Sequence, residues 1–382
     1  MAEYPHIIVG GGIIGLSVGW QLLRAGAQVE IYEESTALRG GAGWVAAGML
    51  APDAEAGYEE ESLFALCNES LSLYDKFLEE LREDVTDASV PTLDRCGSML
   101  VAVTSDDIQI LKRQYDFRKS LGDAEMELLR GAEARKREPL LSPKVKQALF
   151  LPKDAQINNR KLIEALHKAF VNRGGIIHEH SRIEKILIQG GIAEGIEVHG
   201  NIQKASSITL AAGALIGRIF GVESVGIRPV KGQMIALKSE PTSQLHHLIR
   251  SPRVYLSAKD DGRLLIGASV EEQGASRSIT AGPIMELLHY AWEVVPIVYE
   301  LEIAELQAGL RPASRDHCPI LGEADEKNLY YAAGHYRNGI LLAPLTAYAL
   351  RDEILFGRKR SDLEAFAPQR FSKKKRDIQQ LI

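Results

Sequence analysis

Gly10, Gly12 and Gly15 stand in G-x-G-x-x-G spacing directly after the apolar run His6-Ile7-Ile8-Val9. A helical pattern follows (Leu16, Val18, Trp20, Leu22, Leu23), Gly26 ends it, and a second apolar run from Val29 closes on Glu33. This is the chemistry of pyrophosphate recognition. The first glycine permits the tight turn, the second lets backbone approach phosphate, and the third lets helix and strand pack closely. The helix start then offers Ile13 and Ile14 beside unpaired N–H groups at the positive dipole end. An acid at the tip of the second strand, Glu33 with Glu34 behind it, accepts hydrogen bonds from ribose hydroxyls. A dinucleotide is therefore expected at this end of the chain. Metal chemistry is not expected: Cys67, Cys96 and Cys318 lie far apart, and the histidines, including adjacent His246-His247 and alternating His178 and His180, lack ligand spacing. The residues supply no nucleophile–base triad either.

The elements that must carry these residues can be read coarsely. After the opening βαβ unit, the run from Arg39 to Leu50 is too rich in Gly and Ala to pack as an ordinary element, which implies a large group lying against its backbone at Ala47, Gly48 and Met49. Helical spacing predicts helices from Ser62 to Leu81 and from Asp106 to Leu121, with a strand at Met99–Val103 between them. Asn158 or Asp154 caps a helix from Arg160 to Val171 that Gly174-Gly175 ends. Strands follow at Ile176–His180 and around Ile186 and Ile196, the latter two forming a hairpin across Gly190-Gly191. Ile208–Ala214, with Gly213, reads as a strand returning to the nucleotide. Val254-Tyr255-Leu256 and Arg263–Gly267 flank the turn Asp260-Asp261-Gly262 in a separate antiparallel sheet. Pro283 to Glu305 reads as a helix pair broken near Pro296. A last strand, Leu329–Gly334, leads through His335–Leu342 into a helix reaching Phe356.

With 382 residues the expectation is two domains. Hydrophobic residues at 45% and charged residues at 25% are ordinary for a soluble globular protein. A net charge of −6 argues against nucleic acid as partner, and the one dense basic run, Lys373–Arg376, reads as a solvated tail. No apolar stretch approaches a membrane span, and with no leader pattern and no paired cysteines the expected location is cytoplasmic. Three glycine-ended strands converging on one dinucleotide, with an antiparallel sheet inserted, favour FAD over NAD. The expected fold is α/β: a Rossmann-type FAD-binding domain (1–85, 145–225 and 306–360) with an inserted antiparallel-sheet substrate domain (86–144 and 226–305, α+β), and a tail at 361–382.

The motifs VGGGIIG (9–15), AAGML (46–50), PVKGQ (229–233), GRLLIGASVE (262–271), AGLRPASRD (308–316) and AAGHYRNGILLAP (332–344) resemble those of the D-amino-acid-oxidase type of FAD-dependent amine oxidoreductases, and most of all the bacterial glycine oxidases of thiamine biosynthesis. The resemblance runs to about residue 360. It implies oxidation of glycine or a similar small amine, with a hydride passing from Cα to flavin N5, an imino acid hydrolysing to glyoxylate and ammonia, and oxygen becoming peroxide. The imino acid would otherwise feed thiazole synthesis, with thiazole synthase as partner and a homo-oligomer as the assembly. The cofactor supplies the redox power, so the protein needs no acid–base side chain; it must fix the substrate carboxylate. A guanidinium is the best anchor. By resemblance that anchor is Arg311 of G-L-R-P, which precedes Pro312 and so lies on extended chain. Arg337 matches a second arginine beside the substrate, and Tyr255 a tyrosine closing over it. The cofactor contacts implied are Gly10, Gly12, Ile13, Ile14, Gly15, Glu33, Glu34, Ala47, Gly48, Met49, Ile183, Gly213, Gly309, His335, Tyr336, Asn338, Gly339, Ile340 and Leu341.

Departures are visible. Ala42-Gly43-Trp44 stands where glycine oxidases often carry hydroxyls, so backbone must contact phosphate there. Cys318 does not match the position of covalent flavin attachment in sarcosine-oxidase relatives, so non-covalent FAD is expected. Val270 stands where a larger side chain can line the pocket. Two other readings share these residues: a D-amino-acid or sarcosine dehydrogenase passing electrons to a quinone, and a non-catalytic binding protein on the same scaffold.

Overall fold

A computed structural model describes residues 3–36, 41–55, 61–120, 125–221, 225–240 and 244–371. Two large sheets dominate. The first has six strands in the order Ile320–Glu323, Leu329–Ala333, Ser207–Leu210, His6–Val9, Val29–Tyr32, Ile176–His178, with every pairing parallel except that of the first two. Parallel strands covered on both faces read as continuous apolar runs, and His6–Val9 is buried throughout. Because side chains alternate, Ile8 joins a core with the helices Ile13–Arg24, Asn159–Asn172 and Ala343–Phe356, built on Leu16, Trp20, Phe170 and Leu345. Ile7 and Val9 face a second core with Ile186 and Ile196 of the antiparallel three-stranded sheet Ile183–Gln189, Ile192–Val198, Asn201–Lys204.

The second sheet has eight strands in the order Ile303–Ala313, Arg228–Lys238, Arg263–Gly267, Tyr255–Ala258, Leu248–Arg250, Ser98–Ala102, Gln147–Leu151, Glu127–Arg130. All pair antiparallel except Leu248–Arg250 with Ser98–Ala102. Helix Ala281–Val294 covers one face through Leu287, Ala291 and Val294. The sheets are tied at Asn158. Its side chain caps helix Asn159–Asn172 by accepting from the Lys161 N–H (3.3 Å) and donates to Asp260 and Asp261 in the hairpin turn (2.7 and 2.8 Å).

Several expectations need correction. Gln147–Leu151 and Ile303–Ala313 pair within the eight-stranded sheet, so the chain crosses between the sheets after residue 151 and after 313, not at 145 and 306. The helix expected from Ser62 to Leu81 is two, Glu61–Ser72 and Tyr74–Asp84, divided where the Ser72 hydroxyl donates to the Glu69 carbonyl and Ser70 donates to the Leu341 carbonyl. Of the helix pair expected from Pro283 to Glu305, only Ala281–Val294 is α-helical; Pro296 starts a single 3-10 turn to Glu300, and Ile303 already begins a strand. Strand Ile176–His178 stops before His180, whose φ is +54°. Ser207–Leu210 ends early and turns into a 3-10 helix at Gly213–Arg218. The small-residue run holds a one-turn helix, Ala42–Val45, fixed by Arg160, which lies over the Trp44 ring (5.1 Å) and pairs with Glu305. Arg39, Gly40, Leu121 and Lys373–Arg376 lie outside the described residues. Among the described residues, no helix is long and apolar enough to cross a membrane.

Candidate active site

A cavity of about 560 Å³ runs from the carboxyl ends of the parallel strands to the eight-stranded sheet. Its walls include Val9, Tyr32, Ala211 and Ala332 on one side and Met234, Tyr255 and Arg311 on the other. Carboxyl ends of strands are where open α/β sheets bind ligands.

At the first end, Gly10 holds φ +108° with the Ala211 carbonyl 2.6 Å from where a Cβ would sit, so no other residue fits the turn. Gly12 differs: a Cβ there would meet nothing within 4 Å, and its Cα opens on the cavity. Gly12 is also the N-cap of helix Ile13–Arg24, which carries no side-chain cap, so its first-turn N–H groups remain for an anion. Glu33 accepts from the Gly11 N–H (2.8 Å) and from both the N–H and hydroxyl of Ser35 (3.0 and 2.7 Å). These bonds hold the carboxylate at the cavity wall with lone pairs to spare. Ile13, Ile14, Glu34, Ala47, Gly48, Met49, Ile183 and Gly213 line the same wall. Gly15 does not. It sits behind the turn, where a Cβ would overlap the Gly10 carbonyl, so its part is helix–strand packing.

The segment His335–Leu341 lines the middle, opposite Gly309. The Tyr74 hydroxyl and the Ser70 hydroxyl donate to the carbonyls of Ile340 (2.5 Å) and Leu341 (2.6 Å). The N–H groups of Gly339, Ile340 and Leu341 find no acceptor among the described residues. Orphan donors on a buried wall are rare and call for a ligand with acceptors. His335 is buried, its Nε2 3.1 Å from the Thr346 hydroxyl, and burial pushes its pKa down to about 3. It is neutral and structural. The Tyr336 ring stacks on His317 (4.6 Å), its N–H donates to the Pro312 carbonyl (3.0 Å), and the Asn338 N–H donates to the His335 carbonyl (2.8 Å). The Tyr336 bond ties Arg337's loop to Arg311's strand.

The far end gathers Arg311, Tyr255 and Arg337, as the motifs suggest. Arg311 lies in strand Ile303–Ala313 and its guanidinium crosses Gly232 on the neighbouring strand, where a Cβ would overlap it. Its Nη1 donates to the carbonyls of Ser269 (3.0 Å) and Lys231 (3.3 Å). No carboxylate lies within ion-pair distance of it among the described residues. Burial lowers its pKa, against the nearby Tyr255 and Glu271. Tyr255 packs over Gly267, its hydroxyl 3.5 Å from the Met234 sulfur. Burial raises the Tyr255 pKa while Arg311, Arg250 and Arg337 pull it down, so the phenol stays protonated at neutral pH.

Sequence reasoning did not single out Arg250 and Glu55. Arg250 ends strand Leu248–Arg250, lines the cavity and ion-pairs with Glu55; burial first, then Arg337, lowers its pKa to about 10. The Glu55 Oε2 also lies 4.0 Å from Arg337 Nη1. The signal was faint: an isolated arginine at a strand end, far from Glu55 in sequence. Val270 lines the pocket mouth and is exposed.

FAD fits these residues. The open cradle at Gly12, the uncapped helix start, the acid at Glu33 and the acceptor-less N–H row at Gly339–Leu341 match a pyrophosphate, a ribose and a carbonyl-bearing ring in that order.

A family profile described as DAO, FAD dependent oxidoreductase, matches residues 6–353. Glycine oxidase of Geobacillus kaustophilus (strain HTA426) is 32% identical over 96% of this chain and 96% of its own length. The crystal structure of glycine oxidase from that organism superposes with a TM-score of 0.87, covering 95% of this chain and 98% of that one. The bifunctional protein ThiO/ThiG of Trichormus variabilis is also 32% identical over 96% of this chain, which spans 55% of that protein. Iminodiacetate oxidase from Chelativorans sp. BNC1 is 25% identical, with a TM-score of 0.83 over 95% of this chain and 98% of its own.

Proposed function

This chain belongs to the DAO family of FAD-dependent oxidoreductases, and from that premise we propose that it oxidises glycine or a comparably small amino acid, with oxygen as final acceptor. The observation that carries the reading is Arg311: a desolvated guanidinium at the inner end of the cavity, held by two carbonyls and with no carboxylate within ion-pair distance among the described residues. A buried cation without a counter-charge is costly and is retained where a ligand supplies the charge.

When bound, FAD supplies the two-electron acceptor. The chain's own residues do the rest. Arg311 seats the substrate carboxylate with its remaining N–H groups, and the protonated Tyr255 hydroxyl donates to the same carboxylate. Arg337, held beside them through the Tyr336–Pro312 bond, closes the open side. Gly10, Gly12 and Glu33 would hold the adenosine diphosphate end of FAD, and the N–H groups of Gly339–Leu341 would donate to its ring. His335, the cavity's histidine, is neutral and engaged with Thr346, so it is no base. The substrate therefore reacts as its neutral amine, losing its proton to solvent before oxidation. Overall, amino acid, oxygen and water give oxo acid, ammonia and peroxide; glycine gives glyoxylate.

The relationship to bifunctional ThiO/ThiG proteins supports a role beside a thiazole synthase, with the imino acid passed on before hydrolysis. A cytoplasmic location and a homo-oligomer belong to the same proposal. The test is anaerobic mixing of the yellow protein with glycine, sarcosine or D-alanine. Bleaching of the flavin, then peroxide on admitting air, is expected; no bleaching with all three would overturn the reading.

A further inference from the structure

The substrate end of the cavity carries more positive charge than glycine can use. Arg250, Arg311 and Arg337 line it together, and Glu55 is the carboxylate among the described residues that meets them. Arg250 and Arg337 share Glu55: the Arg250 guanidinium contacts one oxygen, and Arg337 Nη1 lies 4.0 Å from the other. Arg277 adds a further guanidinium at the exposed mouth. A monocarboxylate seated on Arg311 satisfies that arginine alone. It leaves two guanidiniums on one carboxylate, an uncompensated positive charge in a partly buried site. The Arg337 contact is long and its side chain is 40% exposed, so that arginine is the one poised to take a new partner.

We propose that this site takes an amine bearing two anionic groups, one carboxylate on Arg311 and the second on the Arg250–Arg337 pair in exchange for Glu55. The proposal rests on the oxidase reading for its chemistry and deepens it by naming the substrate class. That chemistry is unchanged. One C–H and one N–H bond break, a C=N bond forms, and two electrons leave with bound FAD as acceptor and oxygen, reduced to peroxide, as final oxidant. Water then cleaves the C=N bond; from iminodiacetate the products are glyoxylate and glycine.

The test uses the FAD-loaded protein and two unreactive ligands. Glutarate is isosteric with iminodiacetate but has no nitrogen to oxidise, and butyrate lacks its second carboxylate. Binding is read from the visible spectrum of the flavin and from the rise in Tm. Glutarate is expected to bind at least about tenfold tighter than butyrate, the worth of one charge-assisted pair. Equal or weaker glutarate binding overturns the proposal. In turnover, Arg250→Met should lower the kcat/KM ratio of iminodiacetate to glycine by about 10- to 100-fold, and an unchanged ratio overturns it. Glu55→Gln keeps the test open if Arg250→Met fails to fold: it removes the competing carboxylate and should tighten glutarate severalfold, while weaker binding counts against the exchange. If glutarate is preferred but no amine bleaches the flavin, the oxidase reading fails and the two-anion site stands. If glycine is oxidised and glutarate is not preferred, the reverse holds.

Discussion

Replacing Arg311 by methionine removes the guanidinium while keeping much of the side chain that packs across Gly232. Two roles are lost together. Nη1 no longer donates to the carbonyls of Lys231 and Ser269, and the substrate carboxylate loses its fork. The first loss takes a donor from the Ser269 carbonyl, while the Lys231 carbonyl keeps the Glu271 N–H (3.0 Å), a cost of about 1 kcal/mol that falls on folding and not on turnover. The second removes a two-point, charge-assisted contact in a desolvated site, about 3–5 kcal/mol. At about 1.4 kcal/mol per tenfold, kcat/KM should fall by roughly two to three and a half orders of magnitude. Arg311→Lys separates charge from geometry: it retains the cation without the planar fork and should recover only part of the loss. The assay is anaerobic flavin reduction by stopped flow across substrate concentration, beside FAD content and Tm for each variant. FAD content should stay at the parent level, since Gly10, Gly12, Glu33 and Gly339–Leu341 are untouched. A kcat/KM within threefold of the parent, with FAD retained, would refute Arg311 as the carboxylate anchor.

Gly12→Val should still fold, with the apoprotein Tm lowered by only a few degrees for the poorer N-cap, because its Cβ meets nothing within 4 Å and its φ of −75° suits valine, yet it should lose FAD; full flavin content would contradict the cradle. Gly10→Ala should instead destabilise the apoprotein by about 1–3 kcal/mol, measured by urea unfolding, since its φ is +108° and the Ala211 carbonyl is in the way. Tyr255→Phe should lower kcat/KM about tenfold, the worth of one hydrogen bond to a charged group, with Arg311 still in place. For His335 the folded pKa, about 3, lies below the ordinary histidine value of 6.5, so the unfolded chain binds the extra proton. Its contribution to stability is therefore complete above about pH 6.5 and lost as pH falls toward 3, amounting to about 1–2 kcal/mol by pH 5. His335→Gln should flatten that part of the stability–pH curve, measured by denaturant titration at pH 7 and pH 5; an identical slope would exclude His335 as a source.

What the sequence made legible was whatever is local. The turn at Gly10 and the hairpin across Gly190-Gly191 are decided by residues a few positions apart and stand as read, and of the two candidate caps, Asn158 and Asp154, Asn158 is the one used. The Gly12 and Glu33 positions follow because a βαβ unit places its strand ends together whatever the rest of the chain does. Pairing over distance was not legible. Strand Ile303–Ala313 lies along Arg228–Lys238, but Ile303 and Leu306 are exposed and no alternation marks the segment as strand, so its start reads as helix and the rest goes with the FAD-binding domain. Arg311, Arg337 and Tyr255 could be named only through motif resemblance, since an arginine before proline fixes extended backbone and says nothing of what its guanidinium meets. Arg250 shows the limit most clearly. No motif contains it, and its meaning arises only when the parallel step between Leu248–Arg250 and Ser98–Ala102 brings its strand end to a cavity that already holds Arg311, Arg337 and Glu55. The charge that a site carries is thus invisible one position at a time. The count exists only in the folded site, where Arg250, Arg311 and Arg337 line one cavity and Glu55 meets two of them.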